Sequence, residues 1–420
     1  MLKLVEILKF GVILAKFVIV KIPYKKISIY SLFIPFVILF VFFCLSPQKE
    51  KKSLESNVSS IIQKKIKRDS SVKVEYYPEK STKIVSYKLD SLLKRINKRH
   101  DFHGAVLVAK NNKIVYQNQI GYADFREKAS LKEASVFQLA SVSKQFTAAA
   151  ILQLKEKGKL KLTDTVNTYF PEFPYSNITI KNLLHHTAGL PNYFWIAENE
   201  WNKEKPPTNE DLMNVLPKSK AQRFFKPGRN FDYSNTGYFV LASIVEKVAG
   251  VSFHGYIKEN IFDPLGMKDS FVFSFQNDTI RKNQLIGYRL HRGWKHLKIR
   301  GTVNDAIVGD KNVYSTPKDL FKWIYGLNSG KVLSKESLKQ MYARGETKYG
   351  RKIPYGFGFR IDKKRENKIY HYGKWNGFST ALTNYLEEDL VVIVLEHTSY
   401  NSLKYLNRKI KKIMIENFEV

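Results

Sequence analysis

The chain has 420 residues, 44% of them apolar and 14% aromatic, enough to bury a full core in one large or two medium domains. Lysine and arginine number 70 against 38 acidic residues, a formal net charge of +32. These bases are spread over every segment and no nucleic-acid motif accompanies them, so the charge points to anionic lipid or wall polymers or to a lysine-rich background, with no nucleic acid as partner. The single cysteine, Cys44, excludes an internal disulfide.

Residues 1–26 form an amino-terminal amphipathic, basic segment, with Lys3, Glu6, Lys9 and Lys16 on one helical arc. Residues 27–46 carry no charge and are long enough to cross a hydrocarbon core of about 30 Å. They are expected to be a transmembrane helix or uncleaved signal anchor, and lysines on both sides leave its orientation open. Residues 47–81 are polar and charged, as a tether is.

The folded part is expected over 82–420. A helix over Val85–Lys98 places Leu89, Leu92, Leu93 and Ile96 on one face. Gly104–Lys110, the turn Asn111-Asn112 and Lys113–Gln119 form an antiparallel hairpin. Next comes Phe137-Gln-Leu-Ala-Ser-Val-Ser-Lys-Gln-Phe-Thr-Ala-Ala-Ala150, opening a helix that stops at Gly158. A mainly helical insert is expected over about 159–330, including helices at Ile178–His186, Tyr238–Ala249 and Thr316–Leu327. Strands follow at Tyr355–Arg360, Lys368–Gly373, Phe378–Tyr385 and Leu390–His397, and a helix over Leu403–Phe418 closes the chain. Strands at both ends imply one antiparallel sheet built from the two termini, flanked by helices: an α+β fold.

Ser141 and Lys144 stand three apart at a helix start, so hydroxyl and ammonium share a face. A serine beside a proton acceptor is the minimum kit for a covalent nucleophile, and helix-start N–H groups suit an oxyanion. Ser-x-x-Lys also begins at Ser46, Ser70, Ser91 and Ser315, so spacing alone selects nothing. Selection comes from order: Ser-x-x-Lys at a helix start, Tyr233-Ser-Asn235 before another helix, then His371-Tyr-Gly373 on a late strand.

In this ordered set the chain resembles the serine β-lactamase and penicillin-binding protein superfamily, in its class C-like branch. The likeness spans about 82–420 and includes Ile178–Leu190, Val313–Leu320 and Tyr355–Phe359. It implies a β-lactamase/transpeptidase-like fold and a serine hydrolase forming an acyl-enzyme at Ser141. D-Ala-D-Ala-type peptides, β-lactams and small esters or amides are the implied substrates; the alternative is a non-catalytic wall-peptide binder of the same fold. Tyr233 and Lys144 share the proton work, and which is the kinetic base stays open, since free tyrosine needs a nearby cation to ionise. Asn235 would orient Lys144 and a substrate amide. His371 would face a substrate carboxylate and the tyrosine oxygen, weakening above about pH 7 as imidazole loses its proton. The strand from Gly373 would offer the Lys374 N–H to the oxyanion. Lys374-Trp375 is bulky and would reshape the pocket. No cofactor or metal is implied, and His185-His186 is taken as structural. Such substrates place the domain outside the cytoplasm, on the periplasmic side of a single-pass anchor; oligomeric state is left open.

Overall fold

The computed structural model describes residues 71–418 apart from 203, 275–279, 294 and 365. The proposed amphipathic segment, membrane span and most of the tether therefore lie outside the described residues. No single helix among the described residues is long and apolar enough to cross a membrane.

Six antiparallel strands form the main sheet: β1 Gly104–Lys110, β2 Lys113–Ile120, β3 Arg360–Ile361, β4 Lys368–Trp375, β5 Phe378–Tyr385 and β6 Leu390–Glu396. Their order is β3-β4-β5-β6-β1-β2, so the first and last parts of the chain meet where β1 pairs β6, Gly104 opposite Glu396. The β1–β2 turn is Asn111-Asn112, with φ of 46° and 59°. Two successive left-handed residues match the twist of a tight hairpin, and asparagine tolerates them.

Alternation along the strands sends Val106, Val108, Val392 and Val394 to one face and Leu107, Ile393 and Leu395 to the other. On the first face lie α1 (Glu79–His100) and the terminal α5 (Leu403–Asn417), through Leu89, Leu93, Leu406 and Ile410. The second face carries the larger core, with α2 (Lys144–Glu156), α3 (Asn235–Ala249) and α4 (Pro317–Asn328). Helix α2 is buried along nearly its whole length, its run Thr147-Ala-Ala-Ala150 letting neighbours approach closely. A short three-stranded sheet of Phe137–Gln138, Val313–Ser315 and Phe271–Val272 ties the entry of α2 to the insert.

Within the mainly helical insert, Tyr288–His291 and Lys295–Lys298 form a hairpin. One expectation changes: Tyr355–Arg360 is not a strand, since Tyr355 makes only an isolated bridge to Arg360 and Arg360–Ile361 alone joins the main sheet, opposite Tyr370 and Ile369. Gly358 sits at φ 73°, and a Cβ there would lie 2.8 Å from the Lys144 carbonyl oxygen. The glycine lets this loop lie directly on α2.

Leu406 is fully buried between α5 and the sheet. Leu406→Ala is expected to cost about 2–5 kcal/mol in urea unfolding.

Candidate active site

Ser141 lies in a 3-10 turn, Ala140–Ser143, that runs into α2 at Lys144. Ala140 is left-handed at φ 47°, an unfavourable state for a side-chain-bearing residue. It is held by its surroundings: the Thr380 hydroxyl donates to the Leu139 carbonyl (2.7 Å), and the Leu139 N–H to the Val313 carbonyl (2.8 Å). Gly373 on β4 faces this turn, and a Cβ there would sit 2.5 Å from the Leu139 oxygen and 2.9 Å from the Ala140 Cβ. Only glycine lets the strand come so near the Ser141 turn. Because β3 covers only Ile369 and Tyr370, the outer edge of β4 from His371 to Trp375 has no strand partner among the described residues beside Ser141.

Lys144 is fully buried, and its Nζ donates to Ser141 Oγ (3.1 Å), Asn235 Oδ1 (2.8 Å) and the Asp310 carbonyl (2.9 Å). Three acceptors match the three N–H groups of an ammonium. Burial pulls the lysine down to about 8, against the Asp310 charge, which raises it; Arg360 lowers it further. Asn235 starts α3, capped by the Ser234 hydroxyl accepting from the Gly237 N–H.

Tyr233 immediately precedes that cap. Its hydroxyl is buried and makes no hydrogen bond of good geometry to protein. Burial pushes the phenol well above its ordinary range, with nearby Ser141 and Arg360 opposing the rise. Its ring is boxed by His186, whose centroid lies 4.4 Å away, and by Tyr355 and His371 at about 6 Å (6.1 and 6.0 Å). Lys144 Nζ stands 5.1 Å and the Arg360 guanidinium 4.9 Å from the Tyr233 ring centre. His186 also fixes the loop, its Nδ1 accepting from the Ser234 N–H at 3.0 Å.

His371 lies inside the wall of the site. It is fully buried, and its Nδ1 meets the Tyr372 carbonyl at 2.8 Å while Nε2 meets the Tyr355 hydroxyl at 3.0 Å. A carbonyl only accepts, so Nδ1 carries the proton and Nε2 receives the Tyr355 O–H. Burial, reinforced by Arg360 and Lys144, holds the imidazole well below its ordinary range. The residue is a neutral wall of the Tyr233 box and offers no charge to a substrate carboxylate.

Gly373 and Lys374 stand on the open β4 edge. The Lys374 side chain turns away to Asn401, leaving its backbone to the site. Trp375 is drawn aside as well: its indole N–H donates to Asp305, and its ring lies tilted against Phe194 at 5.0 Å. Sequence reasoning missed Arg360, Tyr355 and Asp310. Asp310 acts through its carbonyl, and its carboxylate is held by the Tyr193 hydroxyl at 3.1 Å and by the buried Lys311.

Among the described residues, Asp101, His103 and His296 bring ligand atoms within 4.8 Å of one another, a grouping that sequence spacing did not show. His103 Nδ1 accepts from the Tyr122 N–H (3.0 Å), so Nε2 bears the proton and donates to Asp101 (2.9 Å). That tautomer suits a hydrogen-bonded clasp and not metal ligation, which needs an unprotonated nitrogen.

A β-lactamase family model matches residues 89–414, and the chain belongs to that family. It is 35% identical to Penicillin-binding protein 4* of Bacillus subtilis over 321 residues, covering 74% of this chain and 71% of that one. It is 29% identical to the putative penicillin-binding protein PbpX of the same organism, covering 88% of each. Among solved structures, a penicillin binding protein from Bacillus halodurans superposes with TM-score 0.66 at 26% identity, over 76% of this chain and 98% of that one. FmtA from Staphylococcus aureus shares the fold, with TM-score 0.68 at 24% identity over 83% and 90%.

Lys144→Met removes a buried cation without opening a large cavity. Acylation of Ser141 is expected to fall about 10²–10⁴-fold, with a melting temperature unchanged or raised because a desolvated charge is gone. Gly373→Val should displace β4 from the Ala140 turn. Acylation is then lost with at most a modest change in far-ultraviolet circular dichroism.

Proposed function

We propose that this chain is a serine hydrolase working through an acyl-enzyme at Ser141 on D-Ala-D-Ala-type peptides, β-lactams or small esters and amides. The observation that carries it is the placement of the buried Lys144 against Ser141 Oγ and Asn235 Oδ1, with the phenol of Tyr233 beside Ser141.

Ser141 Oγ attacks the carbonyl carbon of the substrate as its proton passes to neutral Lys144. Lys144 is the better acceptor at rest, because burial lowers the ammonium and raises the phenol. The Tyr233 hydroxyl bridges that proton to the leaving nitrogen or oxygen, the C–N or C–O bond breaks, and an ester on Ser141 remains. Water then attacks the ester, giving its proton back through the same pair, and the acid leaves. The unpaired β4 edge supplies backbone groups for an extended substrate, with the Lys374 N–H assigned to the oxyanion together with the Ser141 N–H. A wall-peptide binder without catalysis would gain nothing from a lysine sequestered beside a serine, since that burial costs stability.

The uncharged run 27–46 supports a single-pass membrane attachment, and the proposed substrates support a domain outside the cytoplasm. Protease digestion of intact and lysed cells tests that placement: cleavage of the domain only after lysis of the inner membrane would overturn it.

A fluorophosphonate or fluorescent penicillin probe is expected to label Ser141, located by peptide mass mapping, and to spare Ser141→Ala. Labelling at another serine would refute the assignment. Because Lys144 must be neutral to accept the proton, kcat/KM is expected to climb with pH through about 8 and level off above it. The same shift disfavours the fold below about 8, where the ammonium is charged in both states but desolvated only in the native one. That penalty fades as pH rises toward the ordinary lysine value of 10.5.

A further inference from the structure

On the face of the main sheet away from α2 and Ser141, α1 and α5 lie side by side, joined where Lys88 donates to Asn417. Their outer surface is strongly basic: α1 has seven bases and two acids, α5 five bases and one acid. On α1, Lys80, Ile84, Tyr87, Ser91, Lys94 and Lys98 follow one another at steps of three or four, and every one is exposed. Such steps run along one side of a helix. Tyr405, Arg408, Lys412 and Ile415 repeat the pattern on α5, again all exposed. Neither stripe contains an acid. Asp90 is turned to the Tyr116 hydroxyl and the Asn118 amide, at 2.6 and 2.7 Å, and Glu416 lies beside its stripe, paired with Lys412 at 3.4 Å. A merely solvated basic helix has no need of apolar side chains on its outermost arc, yet Ile84 is 62% exposed, Tyr87 73% and Ile415 63%.

We propose that this two-helix face docks on an anionic lipid bilayer, with Ile84, Tyr87, Tyr405 and Ile415 entering the headgroup layer and the surrounding bases meeting lipid phosphates. Aromatic and aliphatic groups gain by leaving water at that depth, while lysine and arginine lay their stems along them and keep their charges among the headgroups. A soluble wall polyanion would be drawn by the bases alone and would leave the four apolar side chains in water; a bilayer engages both. Chain length adds a second support. The uncharged run ends at residue 46 and α1 opens at Glu79, so the chain between them reaches at most about 110 Å. In this respect the inference rests on the membrane attachment proposed above: a domain held that near a bilayer needs only weak surface affinity to dock. Docking through α1 and α5 leaves the opposite side of the sheet, with α2 and the Ser141 turn, clear of lipid.

Cys44 is the only cysteine, so Cys44→Ser clears the full-length chain for one site-directed fluorophore. The probe goes on Ser91→Cys, within the α1 stripe, or on Tyr349→Cys, 69% exposed in the loop where Lys348 meets Gly228. The chain is reconstituted with vesicles of equal parts phosphatidylglycerol and phosphatidylcholine, or of phosphatidylcholine alone, each carrying a nitroxide-headgroup lipid as quencher. In the anionic vesicles, quenching at 91 is expected to exceed that at 349 at least about threefold. It should fall to the level at 349 in neutral vesicles, or at about 1 M salt, where the screening length is only about 3 Å. Lys80→Gln, Lys94→Gln and Lys98→Gln together should have the same effect as removing the anionic lipid, and Ile84→Ser alone should remove part of the quenching. No quenching at 91, equal quenching at both positions, or quenching at 91 that survives neutral lipid or the triple variant would each overturn the proposal. Release of the probe from the bilayer by soluble polyglycerol phosphate at matched phosphate concentration would overturn it in favour of a wall polymer. Flotation of the unlabelled chain with neutral vesicles at high salt reports residues 27–46 separately. Failure there sinks the single-pass attachment, while quenching on anionic vesicles still decides the face.

Discussion

An ammonium taken wholly out of water must find three acceptors, and most of the site's architecture meets that demand for Lys144. Its own helix cannot help, because the start of α2 presents N–H donors and the positive end of the helix dipole. The acceptors therefore come from three places far apart in sequence: the turn at Ser141, the start of α3 at Asn235, and the carbonyl of Asp310. Satisfying one cation ties the nucleophile turn to two parts of the insert. Burial displaces the lysine toward neutrality, the Asp310 charge opposes that shift and Arg360 adds to it.

The same economy of charge runs through the walls. Tyr355 donates to His371, His371 donates to the Tyr372 carbonyl, and His186 accepts from the Ser234 N–H. Each fixes a side chain or loop without adding an ion. Tyr233 is set in an aromatic box with its buried hydroxyl beside Ser141, where a substrate or a moving proton can complete the bonding. Strain at Ala140 points to the same spot. It places the Ser141 turn under the open edge of β4, and the glycine at 373 is what lets the two surfaces meet.

Much of this was legible in the chain, for identifiable reasons. Period-two alternation and two asparagines gave β1 and β2 almost to the residue, because hairpin geometry is local. Helices α1 and α5 showed a one-sided apolar stripe, since each packs one face on the sheet. Ser141, Lys144, Tyr233 and Asn235 were found as an ordered set, and Lys144 contacts two of the others. What escaped was conformational or generic. The Tyr355–Arg360 stretch has a strand's alternation, but its glycines allow a loop to lie on α2 instead. Asp310 contributes a carbonyl, which every residue owns, so no side-chain pattern marks it. His371 was found by type and missed by environment: burial, which decides its protonation, depends on Tyr355 and Arg360 arriving from another segment. Arg360 itself was hidden in a chain with 70 basic residues.

The neutrality of His371 changes the logic of the site more than its position does. A protonated histidine there would add a third cation near Tyr233, and mutual repulsion among Lys144, Arg360 and His371 would have to be relieved by an ionised phenol or a bound anion at all times. With His371 neutral, two cations remain, and Lys144 can shed its proton near pH 8. The resting site then alternates between two positive charges and one. In the proposed reaction the tetrahedral oxyanion favours the protonated form of Lys144, so the lysine gains proton affinity as the serine proton is transferred. Burial makes Lys144 willing to start neutral; negative charge brought by the reaction makes it willing to become charged. The fold supplies the first condition and leaves the second to the substrate.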